Sequence, residues 1–459
     1  MRGNYVLQTG GFHVLQTGGF HVLQTRGFCY IICVGGVEMA YYTRFIEKQI
    51  EEAIDTSGAV VVAGPKFCGK TTTCKLFAKS IYALDTKQKI ELAQSSPRSI
   101  LDGDVPRLID EWQNVPDLWN CARTEVDERE EKFGQFIFTG SSTPADKKDI
   151  YHSGAGRIVT LEMRPMTLYE SHDSTGEISL RDLFDNKNYK AFDTNDEYRL
   201  QDTAFYICRG GWPLSIISDK EKALKITKNY YSTLFNFENN KNKKFRNKKK
   251  STFITVLKSY ARNISTEARR GLMLQDICEH EDRNMDSDTF DEYLEALNDL
   301  YIIRDIDAWN PNLRSKTSII TTPTRHFVDT SIAAGALNIS PNDLINDPKT
   351  FGLFFEDFAV KELSVYVQNL NGELRHYRDS NGLECDAVIH LEDGRYALIE
   401  IKLGGEDSVA FGMSTLKTLQ KKLDNIGNGP AFLMILTACG SAYTTKEGIH
   451  VVPINLLRD

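Results

Sequence analysis

The sequence predicts an α/β protein, and three stretches carry that prediction. The apolar run "AVVVAG" breaks at Gly64, and "TTTCKLFAKS" after it reads as a helix with Leu76 and Phe77 turned inward. Two further apolar runs, "RLIDEWQ" and "QFIFTGSST", end in polar residues, the form of buried strands that deliver side chains to one edge of a sheet. Far downstream, "ECDAVIHLEDGRYALIEIKLG" alternates like two strands joined by a tight turn.

The chain's 459 residues point to roughly two to four domains. With 41% hydrophobic and 26% charged residues it has enough apolar surface for a sizeable core. Lys and Arg number 55 against 63 Asp and Glu, a net charge of −8, which argues against nucleic-acid binding over the whole surface and leaves local basic patches open. The nine cysteines are scattered, with no CxxC pair and no histidine partners at zinc-finger spacing, so a reduced, cytoplasmic protein with buried thiols is expected. No run approaches the ~18 apolar residues that span a bilayer, so no membrane partner is expected. Near the start, "VLQTGGFH" occurs at Val6 and Val14 and returns at Val22 as "VLQTRGF". A repeat of eight residues is far shorter than the ~20 of a solenoid unit. Residues 1–38 are expected to be a spurious or disordered extension ahead of a start at Met39.

The first stretch fits G-x-x-x-x-G-K-[ST], a Walker A phosphate loop, as Gly64, Pro65, Lys66, Phe67, Cys68, Gly69, Lys70 and Thr71, with Thr72 next. Glycines let backbone N–H groups crowd a phosphate, and the following helix N-terminus adds partial positive charge. Lys70 would reach the β- and γ-phosphates of ATP, and the Thr71 hydroxyl would bind Mg²⁺. About 40 residues on, Leu108 and Ile109 close a strand and Asp110 and Glu111 follow. An Asp at such a strand end holds Mg²⁺, and the next carboxylate activates the attacking water. Thr139 and Ser141 end the third strand and are candidates to sense the γ-phosphate. Arg157 follows small residues in "HSGAGRIVTLEM". It either neutralises charge on the transferred phosphoryl, in its own subunit or a neighbour's, or makes a structural salt bridge.

Together these residues resemble the prokaryotic AAA-type ATPases that carry a C-terminal domain of unknown function with a restriction-endonuclease-like fold. The resemblance runs from Met39 onward, on "GPKFCGKTT", "LIDEWQ", "TGSST", "GAGRI", "RGGWP", "HFVDTSIA", "FFEDFAVKEL" and "YRDSNGLECD…LIEIKLG". It implies an ATPase core at 39–165, a helical lid or connector at 166–238, a winged-helix-like domain at 239–335 and a nuclease-like domain at 336–459. Ring-forming relatives make a homo-oligomer a class expectation.

In the middle, "NNKNKKFRNKKK" has seven basic residues and no acidic one. It is either a solvated linker or a contact to phosphate backbones. Phe290, Tyr293, Leu294, Leu297, Leu300 and Tyr301 recur at helical spacing, and "YIIRDIDAW", an "NPN" turn and "TSIITT" come next like a two-stranded wing. Between Ser251 and Thr330 there are nine Lys and Arg against fourteen Asp and Glu. That balance favours docking to a protein or a spacer role over DNA reading, with Arg314 and Lys316 left for a small nucleic-acid contact.

The last domain carries a D…(D/E)-x-K arrangement. Glu400 and Lys402 are two apart and share a strand face. Asp386 and Glu400 would hold Mg²⁺, and Lys402 would steady a hydroxide or the scissile phosphate. The carboxylates sit side by side only if Glu392, Asp393 and Gly394 form a three-residue loop, which pairs Leu391 with Arg395 and Asp386 with Glu400; a two-residue turn puts them on opposite faces. The resemblance adds Glu356, in "FGLFFEDFAVKEL", to this site. Lys417, Lys421 and Lys422 either approach nucleic acid or coat the surface. The expected function is an ATPase whose nucleotide state controls a nuclease-like domain; the competing reading is a regulatory or partner-docking switch with an inactive nuclease fold.

Overall fold

The structure, a computed structural model, describes the strand backbone between Gln8 and Ala40 and residues 41–129, 132–141, 156–187, 191, 198–236, 248–281, 284–311, 322–424 and 429–459. Contacts divide the chain into two compact units, 1–163 and 164–459.

The first unit holds a parallel sheet of five strands. Helix α1 (Ile46–Thr56) leads into β1 (Ala59–Ala63), a strand buried at every position. There follow α2 (Lys70–Cys74), β2 (Ser80–Ala83), β3 (Arg107–Asp110), α3 (Asp117–Glu128), β4 (Phe136–Gly140) and β5 (Ile158–Glu162). The order across the sheet is β5-β1-β4-β3-β2. Apolar strands such as "AVVVA" and "FIFTG" are what a parallel sheet covered on both faces requires. Because β4 inserts between β1 and β3, the ends of three strands, at Ala63, Asp110 and Thr139–Gly140, stand in a row.

One expectation changes here. Helix α2 stops at Cys74 instead of continuing through "KLFAKS", and Leu76 and Phe77 are only half-buried. Three successive threonines are poor helix formers, and Ser80 already belongs to β2. Ahead of α1, the described backbone forms five antiparallel strands between Gln8 and Tyr42, each paired with the next.

The second unit combines helices with a mixed sheet. Helices α4 (Leu200–Arg209), α5 (Lys220–Thr233), α6 (Lys250–Arg262), α7 (Arg270–Glu281), α8 (Ser287–Asp299) and α9 (Thr330–Leu337) precede the 22-residue α10 (Pro348–Asn369). Phe290, Tyr293 and Leu297 of α8 are buried, as their spacing predicts. After α8, Ile303 and Ile306 bridge antiparallel to Phe327 and Thr324. The proposed hairpin tip, with Arg314 and Lys316 and most of "TSIITT", lies outside the described residues, as does most of the basic run before Lys248.

The sheet holds β6 (Gly372–Arg378), β7 (Glu384–Leu391), β8 (Tyr396–Lys402), β9 (Phe432–Thr437), β10 (Tyr443–Thr444) and β11 (Ile449–Pro453), in the order β6-β7-β8-β9-β11-β10. Helix α11 (Glu406–Asp424) covers the face that carries Leu398, Leu433 and Ile435. Among the described residues no helix is long and apolar enough to cross a membrane.

Buried polar groups explain three of the quoted motifs. Asp357 of α10 is fully buried; it accepts from His326 Nδ1 at 3.0 Å, Phe327 N at 2.8 Å and Thr330 Oγ1 at 2.7 Å. That carboxylate ties "HFVDTSIA" to "FFEDFAVKEL". Asp329 accepts from Gly211 N at 2.8 Å, which seats "RGGWP" as a turn at the end of α4.

Candidate active site

The end of β1 turns sharply at Gly64 (φ 150°), and the loop reaches α2 through Phe67 (φ 64°) and Gly69 (φ 105°). Cys68 and Lys70 are buried, whereas Phe67 is 75% exposed at the loop's rim. Lys70 Nζ donates to the carbonyls of Gly64 at 2.9 Å and Pro65 at 2.6 Å. Its ammonium therefore stands within the loop's own curve, where a phosphate oxygen would compete with those carbonyls. Arg44 braces the loop from outside by donating to the Cys68 carbonyl at 2.8 Å, and Tyr41 OH meets Thr73 Oγ1 at 3.0 Å. Neither residue was legible beforehand, because an isolated Tyr or Arg ahead of a helix has no pattern.

Asp110, at the end of β3, accepts at Oδ1 from Thr71 Oγ1 at 2.7 Å and also from Thr139 Oγ1. Glu111 comes next in the left-handed region, φ 58° and ψ 41°. Its Oε2 accepts from Gln113 Nε2 at 2.6 Å and Ser141 Oγ at 3.3 Å. The structure thus brings together Lys70, Thr71, Asp110, Glu111, Thr139 and Ser141. Thr71 Oγ1 and Asp110 Oδ1, a hydroxyl and a carboxylate in contact, are hard oxygen donors that fit Mg²⁺.

Arg157 is not part of this group. It precedes β5, where its carbonyl accepts from Ala59 N at the start of β1, and its guanidinium is ion-paired with Asp127 of α3. The phosphate loop leaves the other end of β1. Five residues of strand, roughly 13–17 Å, separate the two ends, so the own-subunit catalytic assignment gives way to the salt bridge.

The second predicted cluster lies in the mixed sheet. The register pairs Ala387 with Ile399 and Val388 with Leu398, and Leu391 N donates to Arg395 O at 2.9 Å. The connection is the three-residue loop, with Gly394 at φ 88°, and Asp386 stands opposite Glu400 on one face. Lys402 Nζ lies 2.8 Å from Asp386 Oδ2 and 2.7 Å from Glu400 Oε2. Ile401 N also donates to Asp386, at 2.7 Å. Burial, then the charge of Asp386, pushes the Glu400 carboxyl up to about 8. Burial opposes the Lys402 ammonium, but the two carboxylates outweigh it and raise its pKa. Glu356 of α10 is half-buried; desolvation first and Asp386 second push its carboxyl well above the usual range.

Two buried oxygens beside this trio have no hydrogen-bond partner, Glu400 Oε1 and Thr437 Oγ1. Thr437 pairs with Lys402 across β8 and β9 and was missed because a strand-end threonine carries no motif. The Lys402 ammonium bridges the two carboxylates, and among the described residues no three His, Cys, Asp or Glu side chains are grouped to hold a metal. The nearby lysines are engaged as well: Lys417 pairs with Glu447 and Lys422 with Asp379.

Comparison with known proteins matches residues 56–172 to a family described as an AAA domain. Residues 200–343 and 351–457 match two families described as domains of unknown function, DUF8612 and DUF4143. Uncharacterized proteins of Mycobacterium bovis and Mycobacterium tuberculosis are each 23% identical over 380 residues, covering 81% of this chain and 76% of theirs. Among solved structures, the Walker-type ATPase PABY2304 of Pyrococcus abyssi is similar at 13% identity and a TM-score of 0.40, covering 63% of this chain and 94% of that one. The Aeropyrum pernix ORC1 protein in complex with DNA aligns at 11% identity and a TM-score of 0.22, over 65% and 93%. With the AAA-domain match laid over the parallel sheet and its phosphate loop, the first unit is an AAA-type P-loop ATPase core.

Proposed function

We propose that the protein binds and hydrolyses ATP and that its nucleotide state controls the nuclease-like C-terminal domain. One observation carries the first part: at the ends of β1, β3 and β4, Asp110 accepts from Thr71 and Thr139, Glu111 beside it accepts from Ser141, and Lys70 is held on the carbonyls of the phosphate loop. Gly64 to Thr72 cradle the triphosphate, and Lys70 exchanges the loop carbonyls for phosphate oxygens. Thr71 and Asp110 are the residues that would hold Mg²⁺, whose charge would offset that of the triphosphate. Glu111 takes a proton from the attacking water as its oxygen bonds to the γ-phosphorus, and the bond to the bridging oxygen breaks with its electrons leaving on ADP. Thr139, tied to Asp110, reports whether the γ-phosphate is present.

Lys70→Ala tests this reading. It is expected to abolish saturable binding of a fluorescent ATP analogue and to remove ATP turnover; equal hydrolysis by wild type and variant refutes the assignment.

A second reading concerns the C-terminal domain and rests on the shared face of Asp386 and Glu400 with the unpartnered Glu400 Oε1. It is phosphodiester cleavage in nucleic acid. Supercoiled DNA, linear DNA and RNA are incubated with Mg²⁺ or Mn²⁺, using Asp386→Ala as the control. Cleavage that disappears in the variant supports it. No cleavage with any substrate leaves a switch that docks a protein partner or nucleic acid through an inactive nuclease fold.

A further inference from the structure

Gln113 lies two residues beyond Glu111, in the 3-10 turn Trp112–Asn114. Its Nε2 donates to Glu111 Oε2 at 2.6 Å, the oxygen that also accepts from Ser141. An ionised carboxylate only accepts, so this contact fixes which end of the Gln113 amide faces Glu111. The other end, Oε1, is buried without a hydrogen-bond partner. It rests against Gly140, where an added Cβ would lie 2.7 Å from it and 3.1 Å from Trp112 Nε1.

Three features converge on Glu111. Its backbone is in the left-handed region that non-glycine residues seldom adopt. Among the described residues, two donors share a single carboxylate oxygen and leave Oε1 to receive a proton. The residue opposite, Gly140, has no side chain to displace the amide. A buried oxygen without a donor costs stability, and the arrangement keeps that cost while placing the Gln113 N–H group on the carboxylate.

We propose that Gln113 is a positioning residue of the ATPase, aiming the Glu111 carboxylate at the attacking water, with Gly140 making room for it. The inference rests on the hydrolytic reading above and adds a residue to it.

The test measures kcat, KM and ATP affinity for wild type, Gln113→Ala, Gln113→Met, Gly140→Ala and the Gln113→Ala/Gly140→Ala double variant, with thermal melts to verify folding. Gln113→Ala is expected to lower kcat by about ten- to a hundredfold, with ATP affinity within about threefold. Gln113→Met, of similar length but lacking the donor, behaves like the alanine variant. Gly140→Ala evicts the amide and reproduces the loss, and the double variant is no worse than the worse single one, since both changes remove the same contact. Unchanged or raised kcat in the alanine and methionine variants overturns the proposal, as do wild-type rates in the methionine variant alone or additive losses. An absence of ATP turnover in the wild type sinks the hydrolytic reading itself, and this inference with it.

Discussion

Asp110 Oδ1 accepts from Thr71 and Thr139 together, so one oxygen joins the end of the phosphate loop to the neighbouring strand β4. The positions of such residues follow from short local patterns, because spacing along the loop or along a strand end settles where they must stand. The position of His376 does not. It lies in β6, buried, with Nε2 3.1 Å from the Thr322 carbonyl and Nδ1 3.7 Å from Glu267 Oε1. Its neighbours come from 54 and 109 residues earlier in the chain, a distance over which no periodicity speaks. Burial lowers its pKa to about 4, against a contrary pull from the Thr322 carbonyl. The unfolded value is near 6.5, so the folded state binds the proton less tightly. The resulting stability is complete above pH ~6.5 and is lost as the pH falls toward 4. His376→Gln is expected to flatten that part of the acid limb, by an amount on the order of a few kcal/mol, measured as urea midpoints between pH 7 and 4. An unchanged slope would mean that His376 titrates alike in both states.

At the scale of elements, the β7–β8 hairpin shows how much turn chemistry can decide. A loop of three residues ending in glycine sets the register, and the register sets which side chains share a face. Gly394 has φ 88° and nothing within 4 Å of an added Cβ, so its requirement is conformational alone. Gly394→Ala is therefore expected to cost about 1–2 kcal/mol, read as a lower denaturation midpoint, without moving Asp386 from Glu400. A loss much larger than that would point to an unseen clash. The pairing was legible because glycine position and strand alternation agree. The length of α2 was not, since the glycines and the lysine of the loop gave no indication that three threonines would end the helix after five residues. The side chains around Lys402 were also partly hidden. Sequence spacing placed the three charges on one face but did not say that the ammonium would sit on both carboxylates, a balance between desolvation and pairing that only the packed site determines.

Across the whole molecule, the sequence reading sets an ATPase core at 39–165, and contacts divide the chain into 1–163 and 164–459. Beyond it the reading sets a connector, a winged-helix-like domain and a nuclease-like domain, and contacts gather residues 164–459 into one compact unit. Long-range polar contacts explain this, and they include the segment that leaves the ATPase core. Four residues beyond the end of β5, Met166 N donates to Gly211 O at 2.8 Å; Leu168 N donates to Glu362 Oε2, also at 2.8 Å, and Asp173 pairs with Arg209. A change at β5 thus has only a short tether before it meets buried anchors of the second unit. That tether makes a calorimetric prediction. The full chain should melt in more than one transition, since its units have separate cores. ATP at a hundred times its dissociation constant stabilises the unit that binds it by about 2.7 kcal/mol, raising that transition by several degrees. Control of the C-terminal domain by nucleotide requires a coupling of about 1–3 kcal/mol. The second transition of the full chain should therefore also shift, by less, while an isolated 164–459 fragment should not respond to ATP at all. A fragment that does respond would place nucleotide binding outside the phosphate loop, and a full chain in which only the first transition moves would remove the link through which ATP is proposed to act.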